Sequence, residues 1–559
     1  MLRPDKLTIE RWLAGWRPFA LLGVLCLCLY LPGIAAIPAL DRDESRFAQA
    51  TRQMLETGDF LDIRFQNEAR NRKPAGIYWL QAASVSAFSS AAATAIWPYR
   101  VPSVIGATLA VLLSFVLGRE LLRGIPGNPS RTALIGAVFL AIALGVMAEA
   151  HIAKTDAALL AATVAGQGAL GLAYTRSRKG APVGAGIAAL FWLAETVAIF
   201  LKGPVGPLLA LATAASLWVA DREARWLREL RPVAGIVAVA IAVAPWLIAI
   251  ESATQGQFLA ESLGHDLLSK LLGGQESHGA PPFYYLALSL IEFWPGSLYL
   301  ARGLIRGWQR HEEPAMRFLL AWIVPAWVFF ELVPTKLPHY VLPLYPALAL
   351  LAASAVAEGK RADQPAWARR TDTVVRWLWV VVTLTIAGAL IVLPSRFGSG
   401  VAIAGVVGAA AMVVLMVPLA VRSPGPTAAV GMLAALALAF VVPAGSCIVP
   451  GLDQLWLSRE AAALVARHSL PGGKPLVVIG YNEPSLVFLL GGKLQVIPGG
   501  GALTLPDGGE ALVSGREDAI FQQGLRARGL TARAIDSVRG TDYSNGQRMV
   551  LTLYQVAPK

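Results

Sequence analysis

Apolar runs close to 20 residues long recur along this chain, at 18–39, 99–118, 132–150, 156–174, 183–201, 203–220, 232–250, 282–301, 318–334, 339–357, 377–394, 399–421 and 427–447. A helix needs roughly 20 residues to cross a hydrocarbon core about 30 Å thick, so the pattern predicts thirteen membrane-spanning helices. Two stretches depart from it. Over 44–57, Phe47, Thr51, Met54 and Leu55 recur at helical spacing among charged residues, which predicts an amphipathic helix lying on the membrane. The stretch 74–92 is apolar but rich in Ala and Ser, with Tyr78, Trp79 and Gln81 near one end. Beyond residue 449 the pattern changes again. PLVVIGYNEPSLVFLLGGKLQVI alternates strand, short helix and strand, and RMVLTLYQV reads as a final strand. The expected division is therefore a membrane domain over 1–449 and a small α/β domain over 450–559.

Composition agrees with this reading. Of 559 residues 55% are apolar and only 15% charged, against about 25% charged in ordinary soluble domains. The fold class expected is a polytopic α-helical membrane protein with a small C-terminal α/β domain. The net charge of +12 raises the question of nucleic acid, and its distribution answers it. If 74–92 does not span, alternate loops starting from the N-terminus fall on one side. These loops hold 24 of the 48 basic residues and more positive charge than the whole chain. Such an excess marks the cytoplasmic side. The segment 74–92 is accordingly read as a second interfacial helix, the N-terminus as cytoplasmic, and the C-terminus as periplasmic. Nucleic acid drops out as a partner. Cys26, Cys28 and Cys447 imply no disulfide framework. The 18–39 run is longer than a signal-peptide core and ends at no clear cleavage site.

With this orientation, ionisable residues at the outer ends of spans form one group: Asp43, Glu44, Arg46, Lys73, Lys154, Asp156, Lys202, His265, His278, Lys336 and His339. Charge beside a bilayer is costly and marks function by default. Lys73, Lys202 and Lys336 each stand beside or close to a proline, in RKP, LKGP and TKLP. Each alone also fits a snorkelling anchor at a helix end; converging, they suit a lipid-borne phosphate. Asp43 and Asp156 fit helix caps singly, and as a pair fit carboxylates that orient an acceptor or take its proton. His265 and His278, with Glu261 and Asp266, are the candidate ligands for a divalent metal, although their spacing matches no compact motif. Glu195 lies deep in a span with no partner evident from the sequence.

The strings LDRDESRFAQATRQMLETGDF, NRKPAGIYWLQAAS, FLKGPVG and TKLPHYVLPLYPALALLAA, in that order, resemble the bacterial branch of the protein O-mannosyltransferase superfamily. These are membrane glycosyltransferases of the C-type fold, and the likeness is strongest to the aminoarabinose transferases that modify lipid A. The resemblance covers roughly residues 18–360. It implies an inverting enzyme on the outer face of the bacterial inner membrane. Its donor would be a sugar linked to polyprenyl (undecaprenyl) phosphate, and its acceptor lipid A or another glycolipid. By position it implies Asp43 as the catalytic carboxylate and Asp156 as the second acid. Arg46, Lys73, Lys202 and Tyr345 would hold the donor phosphate, with Lys336 and His339 extending that site. Arg72 stands where the aminoarabinose enzymes carry glutamate, so sugar, acceptor and metal use stay open. The alternatives are a protein O-mannosyltransferase-like enzyme, a lipid or sugar transporter, and a membrane assembly protein that docks through its outer domain.

Overall fold

The computed structural model describes residues 13–39, 42–71, 73–262, 264, 280–359, 364–422, 424–468, 476–492, 494–497 and 509–558. Among them, nine helices are long and apolar enough to cross a membrane, and a tenth span is formed if the bent pair Pro129–Ile142 and Leu144–Ala150 counts as one. The chain is a multi-pass membrane protein. The remaining expected spans are shorter or broken. Arg17–Tyr30 and Val205–Asp221 are apolar helices of 14 and 17 residues. The run at 282–301 divides into Tyr284–Glu292, a 3-10 turn at Gly296–Tyr299 and the helix Leu300–Gln309.

Two of these interruptions share one cause. Ala143 is extended (φ −62°, ψ 126°), and the Leu144 N–H donates to the Trp294 carbonyl at 2.9 Å instead of continuing its own helix. Pro295, which has no N–H to give, follows Trp294, and its carbonyl accepts from the Trp379 indole at 3.0 Å. The resulting bend of 60° at residue 143 is anchored to the turn that splits the other run.

Arg42–Thr57 and Gly76–Phe88 are the two helices of the first outer loop. With 13 residues, Gly76–Phe88 is about 20 Å long, too short to cross. They pack together through Thr51, whose hydroxyl donates to Gln81 at 2.7 Å. The helix Asp156–Arg178 runs through the centre of the bundle and is buried along its whole apolar length. Its crossing with Trp97–Leu121 depends on Gly106, where a Cβ would lie 2.7 Å from the Ala158 backbone.

The C-terminal sheet has the order Leu494–Ile497, Leu476–Ile479, Gly509–Ser514, Gln547–Pro558, Leu530–Asp542. The first three strands are parallel, and the last two join antiparallel. Strands lie at Leu476–Ile479, Leu494–Ile497 and Gln547–Pro558, the last over the predicted RMVLTLYQV; Gly509–Ser514 and Leu530–Asp542 are strands the sequence pattern does not predict. This unit sits on the helix Arg42–Thr57. Arg42 pairs with Glu483 at 2.6 Å, Arg52 donates to the Phe488 carbonyl at 3.2 Å, and Gln66 donates to the Leu494 carbonyl at 2.8 Å.

Candidate active site

Adjacent carboxylates begin the site. Glu44 is fully buried and faces Arg100, which donates to both of its oxygens at 2.8 and 2.9 Å. The same guanidinium donates to the carbonyls of Ile34, Ile37 and Pro38, and Glu44 also accepts from the Ala153 N–H at 2.7 Å. This buried, fully bonded ion pair ties together the first outer loop, the helix Trp97–Leu121 and the turn at 151–155. Gln81 supports that turn by donating to the Ala153 carbonyl at 3.0 Å.

Held by that clamp, Asp43 turns its half-exposed carboxylate outward among cations. Arg46 lies 3.5 Å away and Arg70 3.9 Å away. Burial alone would raise the Asp43 pKa, but Arg70, Arg46, Lys154 and Lys73 together hold it below the ordinary aspartate value of 3.8. Arg70 is itself fixed, donating to the Tyr78 hydroxyl at 2.9 Å and stacking over Phe47 at 4.8 Å.

The second half lies between the spans. Asp156 is the first residue of its helix and Lys202 the last of the helix Ala185–Lys202, so antiparallel packing brings them to the same end, 2.5 Å apart. Gly203, at φ 62°, lets the helix stop at this lysine. Gly76 seats the interfacial helix on the same helix end, since a Cβ there would lie 2.5 Å from the Phe200 carbonyl. His339 is within electrostatic reach of Asp156, Lys154, Lys202 and Asp43, and Lys202 lies 6.0 Å above the Tyr340 ring. Lys154 pairs with Glu149 at 3.5 Å. Asp43, Arg46, Lys73, Asp156, Lys202 and His339 thus surround one place.

Two further expected members each have a carboxylate partner of their own. Lys336 donates to the carbonyls of Ala280 and Pro281, at 3.2 and 3.1 Å, and pairs with Glu331 at 3.3 Å. It ties down the end of the loop before Pro281. The Tyr345 hydroxyl is buried and donates to Glu292 at 2.5 Å. His265, His278 and Arg72 lie outside the described residues, and the metal expectation lies there with them. Among the described residues no group of three or more His, Cys, Asp or Glu side chains is placed to hold a metal. Sequence reasoning missed Arg70 and the Glu44–Arg100 clamp. An arginine four residues into an apolar helix was the available signal for Arg100.

No family model matches the chain. It is 29% identical over 352 residues to an undecaprenyl phosphate-alpha-4-amino-4-deoxy-L-arabinose arabinosyl transferase of Pseudomonas fluorescens, a match covering 62% of this chain and 61% of that protein. The match therefore spans less than two thirds of the relative's length. The likeness in fold extends over nearly the whole chain. The crystal structure of ArnT from Cupriavidus metallidurans bound to undecaprenyl phosphate superposes with a TM-score of 0.74 at 17% identity, covering 97% of this chain and 98% of that one. The chain has the ArnT fold. The Archaeoglobus fulgidus oligosaccharyltransferase is more distant, with a TM-score of 0.51 at 14% identity, covering 94% of this chain and 70% of that one. The ArnT likeness extends past residue 450, so it takes in the C-terminal sheet as well as the spans.

Proposed function

We propose that the chain is an inverting glycosyltransferase. It takes a sugar from an undecaprenyl-phosphate donor and passes it to lipid A or another glycolipid on the periplasmic face of the inner membrane. Two features of its relatives support the reading: the name of the Pseudomonas fluorescens transferase and the undecaprenyl phosphate in the ArnT crystal structure. The observation that carries it is the convergence of Lys202, Asp156, Lys154 and His339 with Asp43, Arg46, Arg70 and Lys73 at one end of the bundle. That end is opposite the basic loops, and the positive-inside rule supports a periplasmic position for it.

In the reaction, an acceptor oxygen attacks the anomeric carbon as the bond from that carbon to the phosphate oxygen breaks. The bonding pair leaves on the phosphate. Lys202, Arg46 and Lys73 stabilise the charge developing there, electrostatic help worth several kcal/mol in such sites. Asp156 keeps Lys202 oriented and offsets its charge until the phosphate arrives. Asp43 positions the acceptor. For a hydroxyl acceptor it takes the proton, a contribution of typically 10²–10⁴-fold. For an ionised phosphate of lipid A no proton has to leave, and Asp43 acts by placement alone.

Purified chain in liposomes, supplied with undecaprenyl phosphate-linked aminoarabinose and lipid A, should yield lipid A heavier by one sugar in a mass spectrum. Asp43→Asn should lose at least about 100-fold in transfer to a hydroxyl acceptor, and less to a lipid A phosphate, while still retaining undecaprenyl phosphate. Lys202→Ala should retain less of it. Wild-type turnover by Asp43→Asn, or transfer to a peptide in place of the glycolipid, would reject the reading.

A further inference from the structure

At the opposite end of the bundle, a cavity of about 250 Å³ is lined by Leu298, Tyr299, Arg302, Val356, Arg376 and Leu419, and by the start of the helix Pro426–Pro443. The segment Pro338–Glu358 spans the distance between the two sites, with His339 at the proposed active site and Val356 at this cavity. Its 3-10 turn over Pro338–Leu344 and its helix over Tyr345–Glu358 together rise about 35 Å, enough to cross a bilayer core. The cavity therefore opens at the headgroup level of the cytoplasmic leaflet.

Its charge is lopsided. Arg302 donates to Asp372 at 2.7 Å, and Arg376 donates to the same carboxylate oxygen at 3.2 Å and to the Ala420 carbonyl at 3.3 Å. Two guanidiniums share one carboxylate, leaving a net positive charge. Each guanidinium has five N–H donors, of which these bonds use one and two. Arg302 also stacks over Tyr299 at 5.3 Å, which holds its plane. The helix Pro426–Pro443 begins beside them without a side-chain cap, so its first N–H groups and the positive end of its dipole add to the same field. Leu298, Val356 and Leu419 supply an apolar wall. The cavity is smaller than the roughly 300–1,000 Å³ that encloses whole ligands, which suits a headgroup whose chains stay outside among the helices.

We propose that this cavity binds the phosphodiester headgroup of an anionic phospholipid from the cytoplasmic leaflet, a second lipid site separate from the donor site. Basic pockets between spans on this side of a membrane are suited to such headgroups. The proposal is independent of the glycosyltransferase reading, because it uses none of the residues around Asp43 or Lys202.

The test is native mass spectrometry of the full chain released from nanodiscs of dioleoylphosphatidylglycerol mixed with dioleoylphosphatidylcholine. Phosphatidylglycerol should be retained selectively as a bound adduct. Arg302→Gln and Arg376→Gln should each lower its retention about fivefold. Asp372→Asn, which removes the competing carboxylate and keeps the shape, should raise it. This opposite direction distinguishes a binding role from general damage to the fold. Equal retention by all three variants and the parent would overturn the proposal. So would displacement of the lipid by inorganic phosphate at equal concentration, since the site would then be one for the free ion.

Discussion

Asp43 and Glu44 are neighbours with opposite duties. Glu44 is bound on every side by Arg100 and the Ala153 amide, while Asp43 faces the open site. Replacing Arg100 by leucine would strand a buried carboxylate, at a cost of about 3–5 kcal/mol. Arg100→Leu should therefore lower the unfolding midpoint in detergent sharply, and an unchanged midpoint would remove the clamp. Asp43 is expected to act on pH instead. Its pKa is lowered by the four cations around it, so it is fully ionised at neutral pH and gains a proton only below 3.8 as pH falls. No acidic limb in the pH–rate profile above that value should belong to it, and Asp43→Asn should leave any limb seen there in place. Loss of that limb in the variant would contradict the electrostatic assignment.

Among the elements, the helix ends place the chemistry. Asp156 and Lys202 meet because one helix starts where its antiparallel neighbour stops, and Gly76 lets the interfacial helix rest on that neighbour's last turn. A side chain at residue 76 would have to push away the Phe200 carbonyl, two residues before Lys202. Gly76→Val is thus expected to weaken undecaprenyl phosphate retention along with Lys202→Ala, although residue 76 carries no charge. Gly106 governs the deeper crossing. Gly106→Leu, overpacked against Ala158, should cost about 1–3 kcal/mol. The thermal midpoints of the two variants in the same detergent would show whether the costs divide this way.

Seen as a whole, the molecule is polarised between two surfaces. The site residues, the interfacial helices and the C-terminal sheet gather at one end, and the basic loops and the Arg302–Arg376 cavity at the other. In a chain with Cys26, Cys28 and Cys447 changed to alanine, a membrane-impermeant thiol reagent applied from the periplasmic side should label Glu68→Cys and spare Arg222→Cys. The reverse pattern would invert the orientation and place the proposed site in the cytoplasm.

The order of the chain alone determined that this is a multi-pass membrane protein, where charge gathers along it, and which cations stand at span ends. Hydrophobic length and the cost of charge at a bilayer are local quantities, and they can be read residue by residue. Tertiary structure alone decided which of those groups meet. The sequence pattern of 132–150 reads as one straight span, yet its bend depends on the Trp294 carbonyl about 150 positions away. The strand Leu530–Asp542 has an alternation diluted by charged residues, and it is recognisable only through its pairing with Gln547–Pro558. Arg70 looks like one more loop arginine until Phe47 and Tyr78 hold it toward Asp43. Tyr345 and Lys336 share the motif context of His339, and their bonds to Glu292 and Glu331 appear only in the fold. Pairing energies depend on distance in space, and nothing in the linear order of residues specifies it.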